Sequence, residues 1–283
     1  MALRGIKPAH VEKRLKAFLF GQAGAGKTTA AIQMPKPYLI DCERGAENDE
    51  YVQLLEKQGG AYFQCFDFNE LVNEVKALLT EKHEYKTLVI DPLTTIYNSL
   101  LDQCERKVGS EFGRHFGAAN KQMKHLINIL LRLDMNVIIT SHSKNEYGDN
   151  LAVLGQTFDC YKKLDYIFDL VFQLQKKGKK RFALVRKSRL KAFEEDEAFE
   201  FSYDVLADKY GRDVLERDAV AQELASKEQV ARIMELVDIF KESPETLQKW
   251  LDKAQSNSLE ELPANIAQKI IGHLESKFEK KGD

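Results

Sequence analysis

The sequence predicts an α/β fold, with a mostly parallel sheet flanked by helices and a small helical domain at the carboxyl end. Three observations predict it. Short, β-branched apolar runs alternate with helical stretches over residues 1–213. A glycine-rich turn joins the first run to a helix. Strand signals then stop, and residues 219–283 read as helices with capping sequences.

The strands come in order. AFLF (17–20), PYLID (37–41), TLVID (87–91) and NVIIT (136–140) are too short and too β-branched for helices. Helical segments separate them, which makes βαβ units and a sheet covered on both faces. YIFDLVFQLQ (166–175) and KRFALVRKSRL (180–190) read as an antiparallel pair turning at Lys177-Gly178-Lys179. In the tail, Ser226 and Gln229 form a capping box before a helix carrying Val230, Ile233, Met234, Val237 and Phe240. Ser243-Pro244 starts a second helix with Leu247, Trp250 and Leu251 on one face. Ser258 and Glu261 read as another capping box, and Ile266, Ile270, Leu274 and Phe278 line the last helix. The expected division is 1–213 as the core and 219–283 as the helical domain.

A net charge of −2 excludes a global pull toward nucleic acid or anionic membrane, so any such binding comes from local patches. Cys42, Cys65, Cys104 and Cys160 lack metal-ligand spacing and read as free thiols of a reducing compartment. No uncharged apolar segment approaches the ~18 residues that span a bilayer. A cytoplasmic protein without membrane partners is expected.

Gly21-x-x-x-x-Gly26-Lys27-Thr28 is a full Walker A motif between a strand and a helix. Its glycines, Gly21, Gly24 and Gly26, let main-chain N–H groups turn inward around phosphates. Lys27 is placed to reach the β and γ phosphates, Thr28 to ligand Mg²⁺, and Thr29 to continue the cradle. Asp91 ends the most apolar strand, where an acid is costly unless it meets a cation. It takes the Walker B role at the Mg²⁺. Glu43 lies just past the second strand and is the candidate to polarise the attacking water, with Asp41 and Glu47 as rivals. Ser141 and His142, at the end of the fourth strand, are candidate sensors of the γ-phosphate. Asn120-Lys121-Gln122-Met123 lacks the Asp of a guanine-specific motif, which favours ATP.

Residues 173–191 hold nine Lys/Arg and no acid. Within them, Lys176 to Arg181 includes a solvated hairpin tip. Lys187-x-Arg189 puts two cations on one strand face. They read as a finger that grips a neighbouring subunit's γ-phosphate, with DNA phosphate contact or plain surface as alternatives.

FGQAGAGKTT, LIDCERGAE, LVIDPLTTIYN, IITSHSKNEYG, GQTFDCYKKLDYIFDLVFQL and VRKSRL together resemble the RecA-like P-loop ATPase core, over residues 15–205. More narrowly, the chain looks like phage-encoded nucleotide-binding proteins of the AAA-ATPase type, including the Sak-type core-only single-strand annealing proteins. The resemblance implies an ATPase that binds single-stranded DNA independently of sequence and promotes annealing or recombination during phage replication in the host cytoplasm. It also implies homo-oligomers with shared ATP sites and a single-strand DNA-binding protein as partner. By motif, Lys27 and Thr28 are the phosphate and Mg²⁺ residues, Glu43 the catalytic glutamate, Asp91 the Walker B acid, and Lys187 and Arg189 the trans-acting pair. Pro92 departs from the Ser or Thr usual in RecA relatives, and Ser141-His142 from the Gln of many recombinases. A ring-forming helicase or helicase loader, or a nucleotide-switched interaction protein with little turnover, remains open as an alternative. For DNA, Arg106, Lys107, Arg114 and His115 with Phe112 and Phe116 form one candidate loop, and Lys144, Tyr147, Lys162 and Lys163 a second.

Overall fold

A computed structural model describes residues 12–147 and 152–279. In chain order the first elements are β1 (Lys16–Gly21), α1 (Lys27–Ile32), β2 (Pro37–Asp41), α2 (Asp49–Gln58), β3 (Ala61–Gln64) and α3 (Phe68–Thr80). Then come β4 (Thr87–Asp91), α4 (Leu93–Val108), α5 (Arg114–Arg132), β5 (Asn136–Tyr147), β6 (Val153–Phe158) and α6 (Leu164–Ile167). The chain goes on through β7 (Leu170–Lys177), β8 (Lys180–Ser188), β9 (Ala198–Glu200), α7 (Tyr203–Tyr210) and α8 (Arg212–Glu216). It finishes with α9 (Lys227–Phe240), α10 (Pro244–Lys253) and α11 (Ala264–Glu279).

The strands form one sheet in the order β3-β2-β4-β5-β1-β7-β8-β9, with β6 paired to the outer half of β5. Every pairing from β3 across to β7 is parallel, whereas β8, β9 and β6 join antiparallel. Parallel strands must be covered on both faces, and β1 and β4 are buried along their whole length. The carboxyl ends of β1, β2, β4 and β5 therefore share one end of the sheet. There Asp41 pairs with Asp91, and Gly21 with His142. The predicted strands are all present. AYFQ, VLGQTF and AFE form additional strands, β3, β6 and β9. β5 continues through SHSKNEY because β6 supplies an antiparallel partner. YIFDLVFQLQ opens with the helical turn α6 before β7 begins at Leu170.

By contacts the chain forms two compact units. One takes in the chain up to Gln64, Tyr85–Thr94 and Met135–Asp218, and holds the sheet. Leu19, Leu39, Val89, Ile138, Phe172 and Val185 are among its buried core. Phe172 lies within 5.7 Å of both Phe193 and Phe199, ring centre to ring centre. Buried Arg14 donates to the carbonyls of Val214, Arg217 and Asp218, which pins the end of this unit to the start of β1.

The other unit takes in Cys65–Glu84, Thr95–Asp134 and the chain from Ala219. The expected helical domain thus shares its unit with two internal helical segments. Within the tail, α9 packs on α11 around Ile233, Leu236, Leu251, Leu262, Ile270 and Leu274. Leu236 takes the core position expected of Met234, which is 53% exposed. The Ser226–Gln229 capping box forms in both directions, and Ser243 caps α10 with Pro244 at its first position. Ser258 and Glu261 do not form the expected box. Leu259–Glu261 is a short 3-10 turn, and the Glu261 carboxylate pairs with Lys76 at 2.7 Å instead. The side chain of Phe278 lies outside the described residues.

No described helix is long and apolar enough to cross a membrane. All four cysteines are free and buried. Burial pushes the Cys65 thiol up to about 11 and the Cys160 thiol up to about 12. Thiols are the inert form, so a disulfide-exchange reagent at pH 8 should label none of the four within minutes in the folded protein and all four in guanidinium. Rapid labelling without denaturant would contradict this burial.

Candidate functional site

β1 delivers the chain to Gly21, where it must turn tightly under β7. A Cβ at Gly21 would lie 2.5 Å from the Leu174 carbonyl oxygen. The turn passes through Gly26 at φ 83°, a left-handed conformation that strains any residue with a side chain. Gly26 is also the N-cap of α1 and has no side chain to take the first-turn amides. They stay available to an anion, as a phosphate loop requires. Thr29 lies in that first turn.

Lys27 folds back over the loop, its Nζ donating to the carbonyls of Gly21 at 3.0 Å and Gln22 at 3.1 Å. Burial pulls its pKa down, while Asp91 and Glu43 act to hold the charge. Asp91 ends β4, buried, and accepts from the hydroxyls of Thr140 and Thr28. Burial pushes its carboxyl up, against those two hydrogen bonds and Lys27. A buried acid so poorly compensated fits a cation. No group of three or more His, Cys, Asp or Glu side chains among the described residues has the arrangement of a metal site. Thr28 and Asp91 suit Mg²⁺, which takes few protein ligands and completes its shell with phosphate and water.

Asp41 and Glu43 divide their work. The Asp41 carboxylate is buried and accepts the main-chain N–H groups of Glu43, Gly45 and Ala46 at 3.1, 3.1 and 2.8 Å. It shapes the turn after β2, where three of its roughly four acceptor sites are taken by the main chain. Glu47 accepts from Gln64 at 2.8 Å. Glu43 is left at the mouth, its Oε1 3.2 Å from Nε2 of His142. Both side chains are a little under half exposed, so water reaches them. Ser141 points the other way, as strand alternation demands. It is fully buried and accepts from Thr94, whose hydroxyl also accepts the His142 N–H at 3.0 Å. Only His142 of the pair offers its side chain to the site. Thr94, two residues past Pro92, supplies a hydroxyl that the motif comparison does not anticipate.

The basic hairpin is distributed differently from expectation. Lys187 pairs with Val171, which neighbours Phe18, three residues before Gly21 on β1. Its Nζ donates to the carbonyls of Asp165 and Phe168, the latter at 2.6 Å. Arg189 lies beyond the end of β8, pairs with Asp169 at 3.3 Å and donates to the Tyr166 carbonyl. Both cations brace the turn before β7 and stand apart from the phosphate loop of their own chain. Lys176 and Lys177 line a cavity of about 750 Å³ with Gln22–Ala25, Gln156, Gln173 and Arg186, a size that admits a nucleotide. The expected solvated tip is present over Lys176–Lys180, while Arg181 at its end lies against Gly26.

Thus Lys27, Thr28, Asp91, Glu43 and His142 converge at one end of the sheet from β1, β2, β4 and β5. Comparison with known proteins gives three results. No curated protein matches the chain. Among solved structures, the crystal structure of the RadB recombinase is similar over 65% of this chain and 84% of that one, at 18% identity and a TM-score of 0.43. Residues 13–200, well over half the chain and all of the site just described, match the family described as the AAA domain, and the chain belongs to that family of P-loop ATPases.

Proposed function

We propose that this chain hydrolyses ATP and couples the nucleotide to binding of single-stranded DNA, in annealing or recombination. What supports hydrolysis is Glu43, held by His142 at the same sheet end as Lys27 and Asp91. Lys27 exchanges the loop carbonyls for phosphate oxygens and neutralises their charge. Mg²⁺, held by Thr28 and Asp91 when bound, supplies further neutralisation of the phosphates. Glu43 takes the proton of the water whose oxygen bonds to the γ-phosphorus, and the bond to ADP breaks. His142 keeps the Glu43 carboxylate aimed.

What supports the DNA reading is Phe112, 99% exposed on a turn with φ 53°. A bulky residue in that conformation, wholly in water, is unexplained by packing. Phe116 beside it is 48% exposed, and Arg106, Lys107 and Arg114 flank the turn. Aromatic faces among cations suit stacked bases along a phosphate backbone. In the other unit, Tyr147 is 56% exposed and Lys162 and Lys163 are exposed. A phage role alongside a single-strand DNA-binding protein, and a homo-oligomer in which Lys187 and Arg189 serve a neighbouring copy, belong to the same proposal.

The test is the ATPase rate with and without single-stranded DNA, which should rise with DNA and fall back as salt is added. Phe112→Ala should weaken DNA binding by about 5- to 150-fold, from ~1–3 kcal/mol per stacked base, with ATP affinity unchanged. No DNA binding at low salt with ATP and Mg²⁺ would remove the DNA function.

A further inference from the structure

The β7–β8 hairpin fixes the backbone of Arg181 from both sides. It pairs with Lys176 on β7, and its carbonyl accepts the Phe201 N–H at 2.8 Å. The side chain then runs over the phosphate loop. A Cβ built on Gly26 would overlap its Nε and stand 2.8 Å from its Cδ and 3.3 Å from its Cζ. The Arg181 side chain is therefore seated on the residue immediately before Lys27, and a Cβ there would oblige it to move.

The Arg181 Nε is buried without a hydrogen-bond partner among the described residues. The carboxylate nearest along the β8–β9 ladder, Glu200, is taken by Lys180 at 2.6 Å. A guanidinium is always charged and presents its donors in a planar fork that matches phosphate oxygens two at a time. Arg181 is half-buried, with its Nε shielded and unsatisfied, and it lies on a loop whose amides are arranged for phosphate, so its fork of donors suits the same anion.

We propose that Arg181 is an intramolecular phosphate ligand: its guanidinium binds the phosphate chain of the nucleoside di- or triphosphate held by the loop, next to Lys27. This rests on the phosphate loop binding nucleotide, as set out above. It places an arginine beside the phosphates from the same chain as the loop, in addition to any cations that a neighbouring copy supplies.

The experiment is calorimetric titration of wild type, Arg181→Gln, Arg181→Lys and Lys27→Ala with ATP and with inorganic tripolyphosphate, each with Mg²⁺. Arg181→Gln keeps the stem over Gly26 and removes the charge. It should bind ATP 10- to 100-fold more weakly and tripolyphosphate more weakly by the same factor. Arg181→Lys should recover part of that loss. The nucleotide-free melting temperature of Arg181→Gln should be equal to or above that of wild type, whereas a purely structural arginine would lower it and leave affinity alone. Wild-type affinity for both ligands in Arg181→Gln overturns the assignment, as does a loss confined to ATP, which would place the arginine on the base or ribose. Failure of wild type itself to bind ATP would instead remove the nucleotide reading on which this rests.

Discussion

Glu43→Gln should bind ATP within about threefold of wild type and turn it over at least 100-fold more slowly, since a positioned general base contributes roughly 10²–10⁴ in rate. The amide preserves the shape of the side chain and can still accept from His142, so the turn built on Asp41 survives. What it loses is the capacity to take a proton. Single-turnover hydrolysis with radiolabelled ATP separates the two effects, because binding is measured before chemistry. His142→Ala should give a smaller loss, confined to turnover, since it orients Glu43 without holding the phosphates. Wild-type turnover in Glu43→Gln would show that another group activates the water.

Asp91→Asn should lose Mg²⁺-dependent hydrolysis by at least about 100-fold, and the free protein should melt at a higher temperature. The two effects have one cause. Burial raises the folded-state pKa of Asp91, so the native state binds its proton more tightly than the unfolded chain does. The ionised carboxylate thus destabilises the empty site above the folded pKa, and that cost disappears below the ordinary carboxylate range. Asparagine removes it. Each ~1 kcal/mol recovered raises the melting temperature by about 2–4 °C in a domain of this size. The gap between variant and wild type should be widest at neutral pH and close as the pH falls. Addition of Mg²⁺ and ATP should stabilise wild type far more than the variant. A variant that melts lower at pH 7, by calorimetry without nucleotide, would mean that Thr28 and Thr140 compensate the carboxylate fully.

The phosphate loop was legible because all of it is local. Gly21 to Thr29 are contiguous, and the strand before them and helix after them follow from apolar runs and glycine positions within a dozen residues. Asp91 was legible for a related reason, since an acid closing TLVID has few stable uses. That Glu43, and not Asp41 or Glu47, stands beside His142 is visible only in the fold. Asp41 spends its oxygens on three amides, and Glu47 accepts from Gln64. Hydrogen bonds of that kind leave no trace in composition or spacing.

The basic hairpin shows the limit most clearly. Alternation along a strand states which residues share a face, and so made Lys187 and Arg189 a pair. It does not state which end of the sheet they reach. That follows from the register of β7 on β1 and of β8 on β7, including the shift between Val171 and Phe172. The same register carries Arg181 to the phosphate loop and sets Lys187 opposite Val171, which neighbours Phe18.

By itself the sequence determined the strands β1, β2, β4, β5, β7 and β8, the helices of the tail and the phosphate-binding segment, because helix, strand and turn chemistry act over a few residues. The tertiary structure alone decided that His142 faces Glu43, that Arg181 rests on Gly26, and that the tail shares a unit with two internal helical segments. Those outcomes depend on pairing between segments far apart in the chain, where a shift of one residue would send each side chain to the other face.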